Sequence, residues 1–245
     1  MAKIILVLPA YNEALGIRPL LAEADRALAS MDGSAEIVLV DDGSTDGTAE
    51  AARAVKMAIP LAVVAHPANR GLGPAILTGL SEALQRSETG EDLIVCMDSD
   101  NTHPPETIRT MAERAREGFD LIIASRYRRG SRQVGVPRWR RAMSFGARGL
   151  FWWRLRLQGV RDYTCGFRAY RVSLIRRGFE RHGQKLITRR GFACTDELLV
   201  RLAAFGPRIA EVPFVLRYDR KRGRSKIPLF RTIWETLKML WSEGR

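Results

Sequence analysis

The feature that most constrains this chain is an alternation of short apolar runs with amphipathic stretches over its first half. The apolar runs cover residues 4–8, 37–40, 61–65, 93–97 and 121–124, and the stretches between them place apolar residues at helical spacing. Strands and helices that alternate in this way form βα units around a mostly parallel sheet. The sequence therefore predicts an α/β fold, and a chain of this length commonly forms one such domain.

A polar or glycine-rich turn follows each of the first four predicted strands. These turns are Pro-Ala-Tyr-Asn-Glu at 9–13, Asp-Asp-Gly-Ser-Thr-Asp-Gly at 41–47, Asn-Arg-Gly-Leu-Gly at 69–73 and Asp-Ser-Asp at 98–100. Ligands of parallel α/β sheets bind at the carboxyl ends of the strands, so we expect these turns to share one site. In the second turn Ser44 or Thr45 can cap the next helix.

Asp98 and Asp100 stand one residue apart directly after a buried strand, where the fold itself needs no acid. Mg²⁺ or Mn²⁺ held by one or two carboxylates plus substrate phosphates is the usual arrangement for clamping a diphosphate. A solvated turn is the alternative for so short a motif. The four preceding βα units favour the metal site.

Basic residues are concentrated in the second half of the chain. Forty Lys and Arg stand against 27 Asp and Glu, a net charge of +13, although the first 120 residues carry more acidic than basic residues. Such a surplus indicates phosphate-bearing ligands, an anionic lipid surface or nucleic acid. Association with nucleic acid through charge alone leaves the acidic turns unexplained, so we expect no nucleic-acid partner.

Two segments interleave aromatic and basic residues. Residues 138–157 mix Trp and Phe with Arg, and residues 228–241 repeat apolar residues at helical spacing beside Arg231 and Lys238. This composition suits the headgroup boundary of an anionic leaflet, with packing into the core or a dimer interface as the alternative. No run approaches the ~18 uninterrupted apolar residues of a membrane span. We expect a catalytic domain over 1–226, a basic amphipathic helix over 227–245 and peripheral membrane association.

The three cysteines, Cys96, Cys165 and Cys194, lie far apart and show no Cys-x-x-Cys spacing. Neither a disulfide framework nor a zinc site is indicated, and a reducing compartment fits this usage. The predicted location is therefore the cytoplasmic face of a membrane.

Together, the four turn motifs resemble the nucleotide-sugar half of glycosyltransferase family 2. The resemblance implies a GT-A (Rossmann-like) fold and an inverting transfer in which the acceptor attacks the anomeric carbon while a metal-bound nucleoside diphosphate departs. It also implies a nucleoside site formed by Pro9, Tyr11, Glu13, Val40 and Asp42 and a site for the ribose, metal and diphosphate formed by Asp98, Ser99 and Asp100.

Motifs of the second half resemble the polyprenyl (dolichyl) phosphate mannose and glucose synthases of that family. They lie at 125–127, 140–144, 162–171, 191–197, 211–213 and 220–226. The resemblance implies transfer of a hexose from a GDP- or UDP-sugar to a polyprenyl phosphate. By the same resemblance, Arg126, Arg140 and Ser144 would hold the phosphate of the polyprenyl acceptor. A closing loop would bring Arg220 and Lys226 to the donor diphosphate. Guanidinium groups suit both tasks because they bind phosphate oxygens bidentately.

Two positions depart from the pattern of these synthases. Thr102 stands where they often carry Gln as a further metal ligand, and we expect Thr102 to be a weaker ligand. Asp196 precedes Glu197, the acid shared with the family, at a position where an apolar residue is expected.

Asp196 leaves two acceptors open. A phosphate monoester is mostly a dianion at neutral pH and needs no base, whereas a hydroxyl acceptor needs one. Asp196 could be that general base for a small molecule, lipid or glycan, although paired acids are also ordinary in the first turn of a helix. We expect the phosphate acceptor, with catalytic roles for Asp100, Arg126 and Glu197, and Asp196 is the catalytic candidate for the hydroxyl acceptor.

Overall fold

The computed structural model of the protein describes residues 2–221 and Lys238, with backbone alone at 138, 140–145, 147 and 148. The predicted C-terminal helix over 227–245 lies outside the described residues, apart from Lys238. In chain order the elements are β1 Ile4–Ala10, α1 Ala14–Ala29, β2 Ala35–Asp41, α2 Thr48–Arg53, β3 Leu61–Ala65, α3 Leu72–Arg86, β4 Leu93–Cys96, α4 Thr107–Arg116, β5 Leu121–Ser125, β6 Arg132–Val134, α5 Arg138–Leu155, β7 Arg168–Arg171, α6 Val172–His182, α7 Ala193–Ala203, β8 Ile209–Pro213 and β9 Val215–Arg217.

The central sheet has the strand order β3-β2-β1-β4-β7-β5-β8. Its pairs are parallel except at β7, which runs antiparallel to both β4 and β5. This confirms the predicted α/β fold with a mostly parallel sheet. Within residues 2–221 no helix is both long and apolar enough to cross a bilayer.

The ends of the first strands lie side by side, as the turn motifs predict. Pro9 of β1 is in register with Val40 of β2, which is in register with Val64 of β3. The turns that follow therefore open on one edge of the sheet. β1 and β2 are buried apolar strands, as expected for a parallel sheet covered on both faces.

The apolar pattern over 209–216 predicts one strand, but the structure divides it between two sheets. β8 ends at Pro213 and pairs with β5, whereas β9 begins at Val215 and pairs with β6. A proline donates no ladder hydrogen bond, which makes Pro213 a natural place for the strand to end. β9 then leads to the turn after β4, where the backbone N–H of Arg217 donates to the carbonyl of Thr102 at 2.9 Å.

The predicted cap of α2 by Ser44 or Thr45 is wrong. Gly47, with a φ of +83°, is the N-cap residue and makes no side-chain cap hydrogen bond. The hydroxyl of Ser44 instead accepts the backbone N–H of Asn12 at 2.8 Å. A contact between two turns has taken the place of a contact within one turn.

Helix α3 packs closely on the sheet because it carries a glycine at the contact. A Cβ atom added at Gly79 would lie 2.3 Å from Cγ1 of Val7 and 3.3 Å from Cγ2 of Val40. Both valines are fully buried in β1 and β2, so the strands cannot yield without disturbing the core.

We expect Gly79→Ala to lower the free energy of unfolding by about 1–3 kcal/mol, because the added methyl group overpacks this contact. Urea denaturation measures the change. Gly149→Ala in α5 is the control, since its added Cβ meets no heavy atom within 4 Å. Equal effects of the two substitutions would contradict the packing argument.

Candidate active site

The turns after β1 and β2 are joined by hydrogen bonds. The backbone N–H of Thr45 donates to the side-chain oxygen of Asn12 at 2.9 Å, and that of Glu13 donates to the hydroxyl of Thr48 at 2.9 Å. Asn12 has a φ of +51°, a left-handed conformation that Asn tolerates better than most residues. These contacts hold Tyr11 and Glu13 at the carboxyl edge of the sheet.

Asp42, a predicted nucleoside residue, is 3% exposed and also organises this edge. Its carboxylate accepts the backbone N–H groups of Arg70 at 3.0 Å and Gly71 at 2.8 Å and lies 2.7 Å from Nδ1 of His66. A carboxylate has about four acceptor positions, so one is left for a ligand. Contact between Asp42 and a nucleoside stays a prediction, as it does for Pro9, Tyr11, Glu13 and Val40.

The glycines of the motif at 69–73 meet the segment that precedes α7. A Cβ atom added at Gly73 would lie 1.9 Å from the carbonyl oxygen of Arg189. A Cβ atom added at Gly71 would lie 2.6 Å from the carbonyl oxygen of Arg190. The φ of Gly71 is +102°, a conformation that also favours glycine. In this fold these glycines allow two stretches of backbone to touch beside the site.

Glu197 fixes that segment. Its side chain is fully buried and accepts the backbone N–H groups of Thr188 at 2.9 Å and Arg189 at 3.0 Å, and the hydroxyl of Thr188 at 2.5 Å. Arg201 forms an ion pair with it at 3.0 Å. These contacts make Glu197 a positioning residue, and its catalytic role stays a prediction.

The turn after β4 is anchored on two sides. The hydroxyl of Ser99 donates to the carbonyl of Pro9 at 2.8 Å. The side-chain amide of Asn101 donates to the carbonyl of Gly16 in α1 at 2.8 Å. The backbone of Asn101 has a φ of +62°, which turns the chain sharply at this residue. Ser99 thus orients the turn, and Asp98 and Asp100 are held in fixed positions.

The carboxylates of Asp98 and Asp100 differ in their surroundings. Asp100 accepts the hydroxyl of Thr102 at 2.6 Å on one oxygen and the ammonium of Lys221 on the other. Burial acts to raise the pKa of Asp100, but the charges of Lys221 and His103 and the hydrogen bonds from Lys221 and Thr102 together lower it. Burial raises the pKa of Asp98 more than the nearby His103 lowers it, and the charge of Asp100 adds to that rise.

The donor set fits a metal that arrives with substrate phosphates. Among residues 2–221 and 238, no group of three or more His, Cys, Asp or Glu side chains could hold a metal ion alone. Two carboxylates are nevertheless sufficient for Mg²⁺ or Mn²⁺ when diphosphate oxygens complete the coordination. The ammonium on Asp100 shows that this carboxylate accommodates a cation. Metal binding by Asp98, Asp100 and Thr102 stays a prediction.

Arg126 is held in place by a buried acid that sequence reasoning left without a role. Its Nε and Nη2 atoms donate to the two oxygens of Asp162 at 2.8 and 2.6 Å, and Nη2 also donates to the hydroxyl of Thr164 at 2.6 Å. Asp162 is held in turn through its backbone N–H, which donates to Glu211 at 2.7 Å. Burial acts to raise the pKa of Asp162, but the charge and hydrogen bonds of Arg126, together with the charge of Arg168, lower it.

This clamp leaves part of the Arg126 guanidinium unused. A guanidinium has five N–H donors, and no described residue accepts a hydrogen bond from Nη1. The side chain is 16% exposed. An oriented cation with two spare donors is suited to binding an anionic oxygen.

Asp196 lies in the first turn of α7 and is 4% exposed. Its Oδ1 atom has no hydrogen-bond partner among the described residues. Burial raises the pKa of Asp196 to about 7, against the opposing charges of Arg168 and Arg126. The fully buried Arg168 donates to the carbonyl of Thr195 and so anchors the start of α7.

Of the remaining predicted site residues, Arg220 alone has a described side chain, and this side chain pairs away from Asp98 and Asp100. Arg220 forms an ion pair with Glu23 of α1 at 3.1 Å, on the surface. Arg140 and Ser144 lie in α5, and their side chains are outside the described part. Lys226 lies outside the described residues. Lys221, which carried no role in the sequence analysis, is the loop cation that contacts Asp100.

A mostly parallel α/β sheet with paired carboxylates and an oriented arginine at its carboxyl edge is the arrangement expected of a GT-A glycosyltransferase that uses a nucleotide sugar. Residues 5–180 match Glycosyl transferase family 2, and the chain belongs to that family.

Curated relatives and solved structures agree with this assignment. The chain is 32% identical to the dolichol-phosphate mannosyltransferase of Pyrococcus furiosus over 98% of its own length and 63% of that protein. It is 31% identical to the undecaprenyl-phosphate mannosyltransferase of Micrococcus luteus over 92% of its length and 87% of that protein. Glucosyl-3-phosphoglycerate synthase from Mycobacterium tuberculosis shares the fold, with a TM-score of 0.71 and 22% identity over 99% of this chain and 78% of that one. The resemblance to family 2 is therefore confirmed.

We expect the stability of the wild type to depend on pH through Asp196. Its pKa rises from 3.8 to about 7 on folding, so the folded protein keeps a proton that the unfolded chain releases in this window. The free energy of unfolding therefore falls by roughly 2–3 kcal/mol between pH 5 and pH 7.5 on account of this group.

Asp196→Asn removes this dependence, because an amide does not titrate. Urea denaturation of both proteins at pH 5 and pH 7.5 measures the double difference, with Asp32→Asn at an exposed acid as the control. If the free energies of unfolding of wild type and Asp196→Asn differ by the same amount at both pH values, the pKa of the Asp196 carboxyl is not raised on folding.

Proposed function

We propose that this protein transfers a hexose, with inversion, from a GDP- or UDP-sugar to the phosphate of a polyprenyl phosphate. The observation that carries the proposal is the Arg126 guanidinium, which Asp162 orients and which keeps the donors of Nη1 for an anion. The charge of Arg126 acts to lower the pKa of both Asp98 and Asp196, which burial raises, so this cation lies close enough to act on both carboxyl groups.

The acceptor side of the site supports a phosphate nucleophile. A phosphate monoester is mostly dianionic at neutral pH, so its oxygen attacks the anomeric carbon without a protein base. Arg126 would orient the phosphate and offset its charge, and Arg140 and Ser144 of α5 would complete its binding. The relatives from Pyrococcus and Micrococcus are named for transfer to dolichol phosphate and undecaprenyl phosphate, in agreement with this acceptor.

The donor side supports a metal-bound nucleoside diphosphate. Asp98 and Asp100, with Thr102 as a weaker ligand, would hold Mg²⁺ or Mn²⁺, which neutralises charge on the departing diphosphate. The turns after β1 and β2 would hold the nucleoside. Solved structures of the mycobacterial synthase contain UDP with Mn²⁺ or Mg²⁺, which supports this kind of donor.

A lipid acceptor requires access to a membrane surface, and α5 offers suitable side chains. Trp152 is 60% exposed and Trp153 is 58% exposed, in a helix that also carries arginines. Aromatic rings beside basic residues suit the headgroup region. We propose that the protein binds peripherally at the cytoplasmic face.

A second candidate function is transfer to a hydroxyl acceptor with Asp196 as general base. A buried carboxyl with an unpaired oxygen and a pKa of about 7 has the properties of such a base. The phosphate acceptor remains our first proposal because Arg126 offers a place for an anion.

The proposal predicts nucleoside diphosphate release that depends on polyprenyl phosphate. Purified protein with Mn²⁺ or Mg²⁺ is offered GDP- and UDP-hexoses, with and without a short polyprenyl phosphate. We expect Asp100→Ala to reduce transfer by on the order of 10³-fold, because a metal-binding charge is lost. Arg126→Lys should reduce it by roughly 10–100-fold, because an ammonium cannot keep the fork with Asp162 and also bind phosphate.

Asp32→Ala and Arg53→Lys, at exposed positions, are the matched controls and should transfer like the wild type. Donor hydrolysis that does not respond to the lipid phosphate would contradict the proposed acceptor.

Asp196→Asn separates the two candidate functions. With a phosphate acceptor, transfer at pH 7.5 should stay within about threefold of the wild type, because no proton is removed. With a hydroxyl acceptor, it should fall by roughly 10²–10⁴-fold, because the base is lost. Loss of transfer by a variant whose melting temperature is unchanged would favour the hydroxyl acceptor.

A further inference from the structure

Lys221 is placed on a carboxylate of the candidate metal site. Its ammonium donates to Oδ2 of Asp100, and its charge also acts on Asp98. The Lys221 side chain is 16% exposed and that of Asp100 is 17% exposed, so this ion pair is largely shielded from solvent. A pair at the surface would be open to solvent and worth little.

The chain before Lys221 is anchored to the same turn that carries Asp100. Arg217 donates its backbone N–H to the carbonyl of Thr102, and its guanidinium pairs with Asp219 at 2.8 Å. The backbone N–H of Lys221 donates to the carbonyl of Tyr218, whose ring centroid lies 5.9 Å from the ammonium. These contacts hold the backbone of Lys221 where its ammonium reaches Asp100.

The ion pair has a direct consequence for metal binding. One oxygen of Asp100 accepts a hydrogen bond from the hydroxyl of Thr102, and the other accepts one from the ammonium of Lys221. A divalent cation that binds Asp100 without phosphate must therefore displace the ammonium or lie next to it, where the two positive charges repel each other. A diphosphate brings negative oxygens that attract both cations and remove this conflict.

We propose that Lys221 is an internal counter-cation of the metal site, which occupies Asp100 until metal and nucleoside diphosphate arrive together and which then binds the diphosphate. Lys221 thereby disfavours a metal bound without donor and adds positive charge beside the leaving group. The inference rests on the metal-dependent reaction proposed above, and it assigns a role to a residue other than Arg220 and Lys226.

The test is a titration of the full chain with MnCl₂, with free Mn²⁺ followed by electron paramagnetic resonance, alone and with GDP or UDP. Lys221→Met removes the charge, Lys221→Arg keeps it, and Lys56→Met is the control at an exposed lysine. We expect Lys221→Met to bind Mn²⁺ alone on the order of tenfold more tightly than the wild type. At saturating Mn²⁺ it should bind the preferred nucleoside diphosphate on the order of tenfold more weakly.

The affinities of Lys221→Arg and Lys56→Met should remain within about twofold of those of the wild type in both titrations. Lys221→Arg keeps the charge at the site, and Lys56→Met removes a charge at an exposed position. Opposite changes in the two affinities separate the proposal from damage to the fold, which would weaken both, and melting temperatures check the fold directly.

Equal or weaker Mn²⁺ binding by Lys221→Met would overturn the competition between Lys221 and metal. Tighter Mn²⁺ binding with unchanged nucleotide affinity would overturn the contact with the diphosphate. If the wild type binds Mn²⁺ in neither titration, the metal-dependent function is overturned as well. If the wild type binds Mn²⁺ and nucleotide and Lys221→Met binds both with the same affinities, this inference alone is overturned.

Discussion

Buried carboxylates that accept backbone N–H groups hold the loops of this protein in place. Asp42 binds the loop at 69–71, Glu197 binds the segment at 188–189, and Glu211 binds residues 161 and 162. Loop backbone lacks partners of its own, and an unpaired donor in a buried place costs about 1–3 kcal/mol. Hydrogen bonds to an ionised acceptor are also stronger than neutral ones. The fixed geometry of the candidate site depends on these acids.

One such network reaches the chemistry directly. Glu211 holds the backbone of Asp162, Asp162 holds one edge of the Arg126 guanidinium through Nε and Nη2, and no described residue accepts from Nη1. A free arginine would lose side-chain entropy when it bound an anion. An arginine fixed in advance loses much less, which makes the buried acid part of the proposed binding function although it touches no substrate.

The βα units of the first half were predictable because their pattern is local. The apolar run over 61–65 and the strand Leu61–Ala65 have the same bounds. The antiparallel strand β7 carried no such signal, because its sequence is Arg-Ala-Tyr-Arg and all four residues are buried. The buried Arg168 donates to the carbonyl of Tyr163 and to that of Thr195, which lies 27 residues away in the chain. No periodicity reveals such partners.

The sequence alone determined the mostly parallel sheet, the common edge of its turns and the family, because each rests on short-range spacing or on contiguous motifs. The tertiary structure decided which charges meet there. Arg220 and Lys221 are neighbours in the chain, yet Arg220 pairs with Glu23 and Lys221 with Asp100. The backbone contact between Arg217 and Thr102, which lie more than a hundred positions apart, holds this segment beside the turn after β4. Contacts at that distance depend on how the whole chain packs, so the partners of these charges follow from the fold.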